Sequence, residues 1–147
     1  MKLATRLALA TPRTTELGLL VLRVWFGAVL AFGHGLAKVT DLSGFTEKVG
    51  AMGMPLPGLL GPAAALSELL GGLLMVLGLF TRPASAMVLV TMLVAAFHVH
   101  AADPFIKKEF ALAYAVAALV TLIAGAGRTS LDAAWVGREP AGPPSKS

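Results

Sequence analysis

The chain has no cysteine and little charge: of its 147 residues, 14% are Asp, Glu, Lys or Arg. Without cysteine, the chain alone cannot offer disulfide scaffolding, thiol redox catalysis, thiolate-held zinc or cysteine-held iron–sulfur clusters. The redox compartment cannot be read from it either. The shortage of charge excludes an ordinary soluble domain, in which about 25% of residues are charged. Aromatics are scarce as well, at 7%, and no basic stripe with interleaved aromatics is available for nucleic acid. There is no P-loop, no dinucleotide fingerprint and no Ser/His/Asp constellation.

What the chain has is apolar bulk. Hydrophobic residues make up 56% of it, and its mean hydropathy is +0.79. That defines an integral membrane protein, one domain by length. Four apolar segments, Leu17–Val39, Gly58–Phe80, Pro83–Ala102 and Glu109–Ala126, each approach the roughly 20 residues a membrane helix needs. Helices are required because an unpaired strand edge is not tolerated in lipid. The predicted fold is all-α: an antiparallel four-helix membrane bundle with both termini on one side. Gly27-xxx-Ala31-xxx-Gly35 and Ala64-xxx-Glu68-xxx-Gly72 carry small residues at the spacing that lets helix backbones approach.

The connections are short, apart from the first. Residues 40–57 form a loop in which 43–51 read as a short amphipathic helix before a Pro/Gly turn. Thr81-Arg82 joins spans two and three, with Pro83 opening the third helix. Asp103 to Lys108 joins spans three and four. Residues 1–16 read as a basic lead-in rather than a cleaved signal, 17–132 as the membrane domain, and 133–147 as a disordered tail. Lys2, Arg6, Arg13, Arg82, Arg128, Arg138 and Lys146 fall on one side of the membrane; Lys38, Lys48, Lys107 and Lys108 fall on the other. The positive-inside rule puts both termini in the cytoplasm of a bacterial-type inner membrane.

Glu68 lies near the middle of span two. A charge there costs on the order of 3 kcal/mol, so it faces protein, a partner or a water-filled cavity. Arg23 on span one is offset from it by roughly 7 Å in depth, within side-chain reach. An Arg23–Glu68 ion pair is the first expectation; a Glu68 that titrates, or one that meets a partner protein, are the alternatives. Arg23, Gly27, Leu30, His34 and Lys38 share one face of a regular helix. His98 on span three falls at about the depth of His34, with Glu109 and Tyr114 opening span four. Arg23, His34, Lys38, Glu68, His98, Glu109 and Tyr114 are therefore the candidate ligand-binding residues. Imidazoles at matching depth can hydrogen-bond a quinone, and secondarily could ligate haem or a metal. The plainer alternative is interfacial histidines bonded to each other, to water or to headgroups. His98-Val-His100 is a weak metal signal because i and i+2 point to different helix faces, and no metal site is assigned. No catalytic residue is assigned either. Trp25 and Trp135 read as interfacial anchors.

In the order of its features the sequence resembles the DoxX family of small four-span membrane proteins. The matching stretches are Leu22-Arg23 with Gly33-His-Gly-Leu-Ala-Lys38, Met52-Gly-Met-Pro-Leu-Pro57, Ser67 to Arg82, and Gly125 to Asp132. The resemblance carries over Arg23, Lys38, Glu68, Gly72, Arg82 and Asp132. It implies a membrane component of an oxidoreductase system, one branch being similar to a subunit of thiosulfate:quinone oxidoreductase and another linked to an oxidative-stress complex. Lacking cysteine, this chain would need a partner subunit for sulfur chemistry. A redox-associated subunit binding a quinone-like or other lipophilic ligand is the leading expectation. A non-catalytic scaffold for oxidoreductase or stress-defence partners and a small-solute or lipid transporter, the latter as a homo-oligomer in which a dimer forms the path, are the alternatives.

Overall fold

Residues 12–137 are described by a computed structural model of the chain. It is all-α. Six helices run in order: α1 Pro12–Thr40, α2 Leu42–Ala51, α3 Pro57–Leu77, α4 Thr81–Val99, α5 Phe105–Ala124 and α6 Leu131–Val136. By length and composition α1, α3 and α4 are each able to cross a membrane. α5 is of similar length but carries Lys107, Lys108 and Glu109 in its first two turns.

The four long helices pack as a ring of neighbours: α1 on α3, α3 on α4, α4 on α5, and α5 back on α1. Leu30, Met75, Val88, Met92, Ala96, Tyr114 and Ala118 fill the interior. α1 lies very close to α3. A Cβ on Gly35 would sit 2.4 Å from the Leu69 nitrogen, and one on Gly72 would sit 2.6 Å from the Gly27 carbonyl. The small-residue spacing read in the sequence is thus the α1–α3 seam.

Two stretches leave α-geometry. Val29–Gly35 of α1 and Ala95–Val99 of α4 are π-helical. In α1 the buried residues are Arg23, Gly27, Leu30, Ala31 and Gly35, so that after Leu30 the buried face passes to Ala31 and Gly35 where a regular helix would bring in His34. The wider π turn takes His34 off the buried face, so the regular stripe expected for 23, 27, 30, 34 and 38 does not form.

α1 ends well below the outer end of α3, because Gly35 is already level with Glu68 and Leu69. α2 folds back over that space and packs on the first turns of α3, where Thr46 touches Gly61. This is the short helix expected at 43–51. At the other end, Gly78 closes α3 with φ +64°, and Leu79 N–H reaches back to the Leu74 carbonyl at 3.0 Å. That is a Schellman-type stop, which a residue with a Cβ would strain. The next helix starts at Thr81 rather than at Pro83.

α1 begins at Pro12, within the stretch read as a lead-in, and α6 covers 131–136, across the boundary read at 132. The remaining lead-in residues 1–11 and tail residues 138–147 lie outside the described residues.

Candidate functional site

The buried charges form two separate centres, one at the inner end of α3 and one near its middle. Arg23 belongs to the first. Its guanidinium donates to the carbonyls of Met75 at 2.9 Å and Val76 at 2.7 Å, and to that of Thr129. A cation at a helix C-terminus meets the negative end of the dipole and satisfies carbonyls that the helix leaves unpaired. Asp132 does the converse for α4. Its carboxylate accepts from Phe80 N–H at 2.8 Å and Thr81 N–H at 3.0 Å, while its own N–H donates to the Gly78 carbonyl at 2.8 Å. Burial pushes the Asp132 carboxyl up, but the hydrogen bonds from Thr81 and Phe80 and the nearby Arg23 charge outweigh it and hold it below the usual carboxylate range. Arg128 N–H donates to Glu16 Oε2 at 2.6 Å, tying the α5–α6 loop to the start of α1.

The expected Arg23–Glu68 pair is therefore not formed. The depth arithmetic placed the centres of spans one and two side by side. The seam at Gly27 and Gly35 instead slides α1 inward, which carries Arg23 down to the level of Met75 and brings Lys38 level with Glu68.

Lys38 Nζ lies 2.5 Å from each oxygen of Glu68. The carboxylate side chain is 5% exposed and the lysine 27%, so the acid is sealed in protein while the ammonium still reaches open space. Phe45 of α2 places its ring 5.1 Å from Nζ, a cation–π contact. Lysine has three N–H donors. Two go to Glu68, and no acceptor among the described residues takes the third.

That open space is a cavity of about 820 Å³ between α2, α3 and α4. Its wall is apolar, supplied by residues such as Val49, Met54, Leu60, Met87, Val90 and Val94. The polar exceptions are few. Lys38 and Glu68 sit on one side, Ser67 and Thr91 are hydrogen-bonded to each other at 2.9 Å, and His100 stands at the outer rim. His100 Nδ1 is 2.8 Å from Asp103, which also receives Lys107 at 3.3 Å. The His100 hydrogen bond, more than any other influence, holds the Asp103 carboxyl below its ordinary value.

Of the seven residues proposed from the sequence, the structure brings Lys38 and Glu68 into this cavity. Arg23 caps α3 at the inner end. Tyr114 is buried in the bundle, with Phe26 and His34 edge-on to its ring at 5.5 Å and 5.6 Å. His34, His98 and Glu109 are exposed and line no part of the cavity. The pocket expected between His34 and His98 is not formed; each sits in a π-helical stretch and is exposed. Thr91 and the α2 residues Phe45 and Val49 also line the cavity and are not among the seven. The α2 contribution had a signal in the amphipathic pattern at 43–51. Its folding back onto α3 had none.

These features define a class: a multi-pass helical membrane protein with a large apolar cavity and a paired lysine and glutamate on its wall. The chain belongs to the DoxX family, whose profile matches residues 18–101. It is 31% identical over 121 residues to a Bacillus subtilis protein described as "Putative oxidoreductase CatD", covering 82% of this chain and 88% of that one. It is 36% identical over 107 residues to an uncharacterized Haemophilus influenzae protein, covering 67% of this chain and 77% of that one. No solved structure gives a significant match.

Proposed function

We propose that the protein is a redox-associated membrane subunit that binds a small lipophile bearing a carbonyl, such as a quinone, in the cavity between α2, α3 and α4. One observation carries this reading: a Lys–Glu pair, neutral as a unit, sits on the wall of an otherwise apolar 820 Å³ cavity with one lysine N–H left to give. Cavities of about 300–1,000 Å³, apolar with a few placed polar groups, are what small-molecule and cofactor sites look like. The relative described as an oxidoreductase supports the redox association. With no cysteine in the chain, electrons would be supplied by a partner oxidoreductase. Four spans cross the cytoplasmic membrane, with α2 outside and the α1 start and α6 on the cytoplasmic side.

Lys38 is the binding residue and Glu68 its positioning residue. Glu68 holds the ammonium on the wall and neutralises it, so that the free N–H meets a carbonyl without an unpaired charge in lipid. The test is titration of protein in nanodiscs with tetramethyl-benzoquinone, with analysis of the neutral lipids that co-purify. Wild type is expected to bind. Lys38→Met, which keeps the stem and removes the donor, is expected to weaken binding at least tenfold, and Glu68→Gln less. Absence of ring binding by wild type, together with no neutral lipid carried through purification, would sink the reading.

A further inference from the structure

The cavity is long rather than round, and its two halves differ. On α4 it is lined from Pro83 to Val99, a rise of about 24 Å at 1.5 Å per residue. The outer half lies under α2. Phe45, Val49, Met52 and Met54 roof it, Leu60 to Glu68 of α3 form one wall, and Val94 to Val99 of α4 form the other. The inner half has only α4 along it, through Pro83, Ala86, Met87 and Val90. There the wall is open: Met87 is 45% exposed and Val90 61%. The polar groups Lys38, Glu68, Ser67 and Thr91 stand where the two halves meet, since Thr91 bonds Ser67. A roofed chamber with polar groups at its base therefore leads to an apolar strip facing the hydrocarbon.

Charge narrows the occupant further. Lys38 is the lysine on this wall, and Glu68 already neutralises it. His100 at the rim is held by Asp103. A phosphate head would find no uncompensated cation among the described lining residues, and an anion left unpaired in such surroundings is costly. An uncharged acceptor would find the free lysine N–H and the hydroxyl of Ser67, which accepts from Thr91 and keeps its own proton to give.

From this shape and charge we propose, building on the ligand reading above, that the site takes a tailed lipid with an uncharged carbonyl-bearing head. The head lies under α2 against Lys38 and Ser67. The tail leaves along α4 over Val90, Met87 and Pro83 and remains in the bilayer. The ligand enters sideways from the membrane, through the gap between α2 and the exposed strip of α4. α2 is thus the roof of a lipid site rather than a mere surface connection.

The experiment uses the full chain in nanodiscs and a tetrasubstituted benzoquinone whose decyl chain ends in a photoreactive diazirine. After illumination, labelled peptides are mapped by mass spectrometry. Labelling is expected to concentrate between Pro83 and Val90, to fall at least fivefold in Lys38→Met, and to be competed by excess tetramethyl-benzoquinone but not by diacyl phosphatidylglycerol. Ala86→Phe narrows the strip and is expected to weaken the decyl probe at least fivefold more than the chain-free ring; equal weakening of both would overturn the tail path. Met87→Trp, on the exposed side of the same strip, serves where Ala86→Phe does not fold. Even labelling of every lipid-facing helix, indifferent to Lys38→Met, would overturn the tail path while ring binding still stood. Competition by the phospholipid would overturn the uncharged head. Failure of the ring itself to bind would strike the ligand reading first.

Discussion

At the scale of single residues, Arg23 and Lys38, the two basic groups by which α1 meets α3, do different work although the sequence presents them alike. Arg23 is 2% exposed and gives its terminal guanidinium N–H groups to the carbonyls of Met75 and Val76 at the end of α3 and of Thr129, while its buried Nε has no partner among the described residues. Its planar fork reaches Met75, Val76 and Thr129 together, which a lysine ammonium cannot reproduce. Arg23→Met is therefore expected to lower stability by roughly 2–4 kcal/mol, the loss of charged hydrogen bonds plus stranded carbonyls. Arg23→Lys should recover only part of it. Thermal unfolding in detergent checks both, and a Met variant as stable as wild type would remove Arg23 from the inner-end lock. Lys38 differs in that its unspent donor faces the open cavity. Its removal should cost ligand before it costs fold. The sequence marked both residues and Glu68 as unusual because charge in a membrane segment is rare. It did not reveal who pairs with whom, because pairing depends on how far one helix slides along another. A slide of a few residues moved Glu68 from the reach of Arg23 to that of Lys38.

At the scale of elements, the slide is set by glycine. Gly35 lets α1 rest on the backbone of α3 at Leu69, and that contact fixes the level of Lys38 three residues later. Gly35→Ala has to push the helices apart, since its Cβ would sit 2.4 Å from a backbone nitrogen that cannot rotate away. The expected cost is about 1–3 kcal/mol, and tetramethyl-benzoquinone binding should weaken as Lys38 separates from Glu68. Gly18 on the same helix has nothing within 4 Å of its would-be Cβ. Gly18→Ala should be neutral or stabilising by up to about 1 kcal/mol from helix propensity. Thermal unfolding of the pair gives the comparison; equal effects at both positions would show that the seam is not what the close contact suggests. The number of long helices and the close α1–α3 approach were legible from apolar runs and small-residue spacing. The π-helical stretches were not, because a hydrophobic pattern read at 3.6 residues per turn has no place for a wider turn. That is why His34 is expected on a face it does not occupy.

At the scale of the whole molecule, the two ends of the bundle are built differently, and that difference has an orientation. The inner end is tied by Arg23, by Asp132 across the α3–α4 turn, and by Glu16 to Arg128. The outer end carries α2 and the cavity it roofs, with Asp103, His100 and Lys107 at the rim. Arg13, Arg82 and Arg128 lie at the tied end, while Lys48, Lys107 and Lys108 lie at the roofed end. The balance of the positive-inside rule is tipped by Lys2, Arg6, Arg138 and Lys146 of the sequence. Orientation decides which side of the membrane the lipid chamber borders. The chain's lack of cysteine makes it directly measurable, since any introduced thiol is unique. Ser43→Cys on α2 and Ala102→Cys before α5 are exposed positions at the roofed end; Arg128→Cys is exposed at the tied end. A membrane-impermeant maleimide should label the first two in intact cells and the third only after permeabilisation. The reverse pattern would turn the molecule over and place the chamber at the cytoplasmic face. Labelling of all three from one side would mean that the four long helices do not all cross. Either result would move the side from which the proposed partner has to reach the proposed ligand, since the cavity lies at the end that α2 covers.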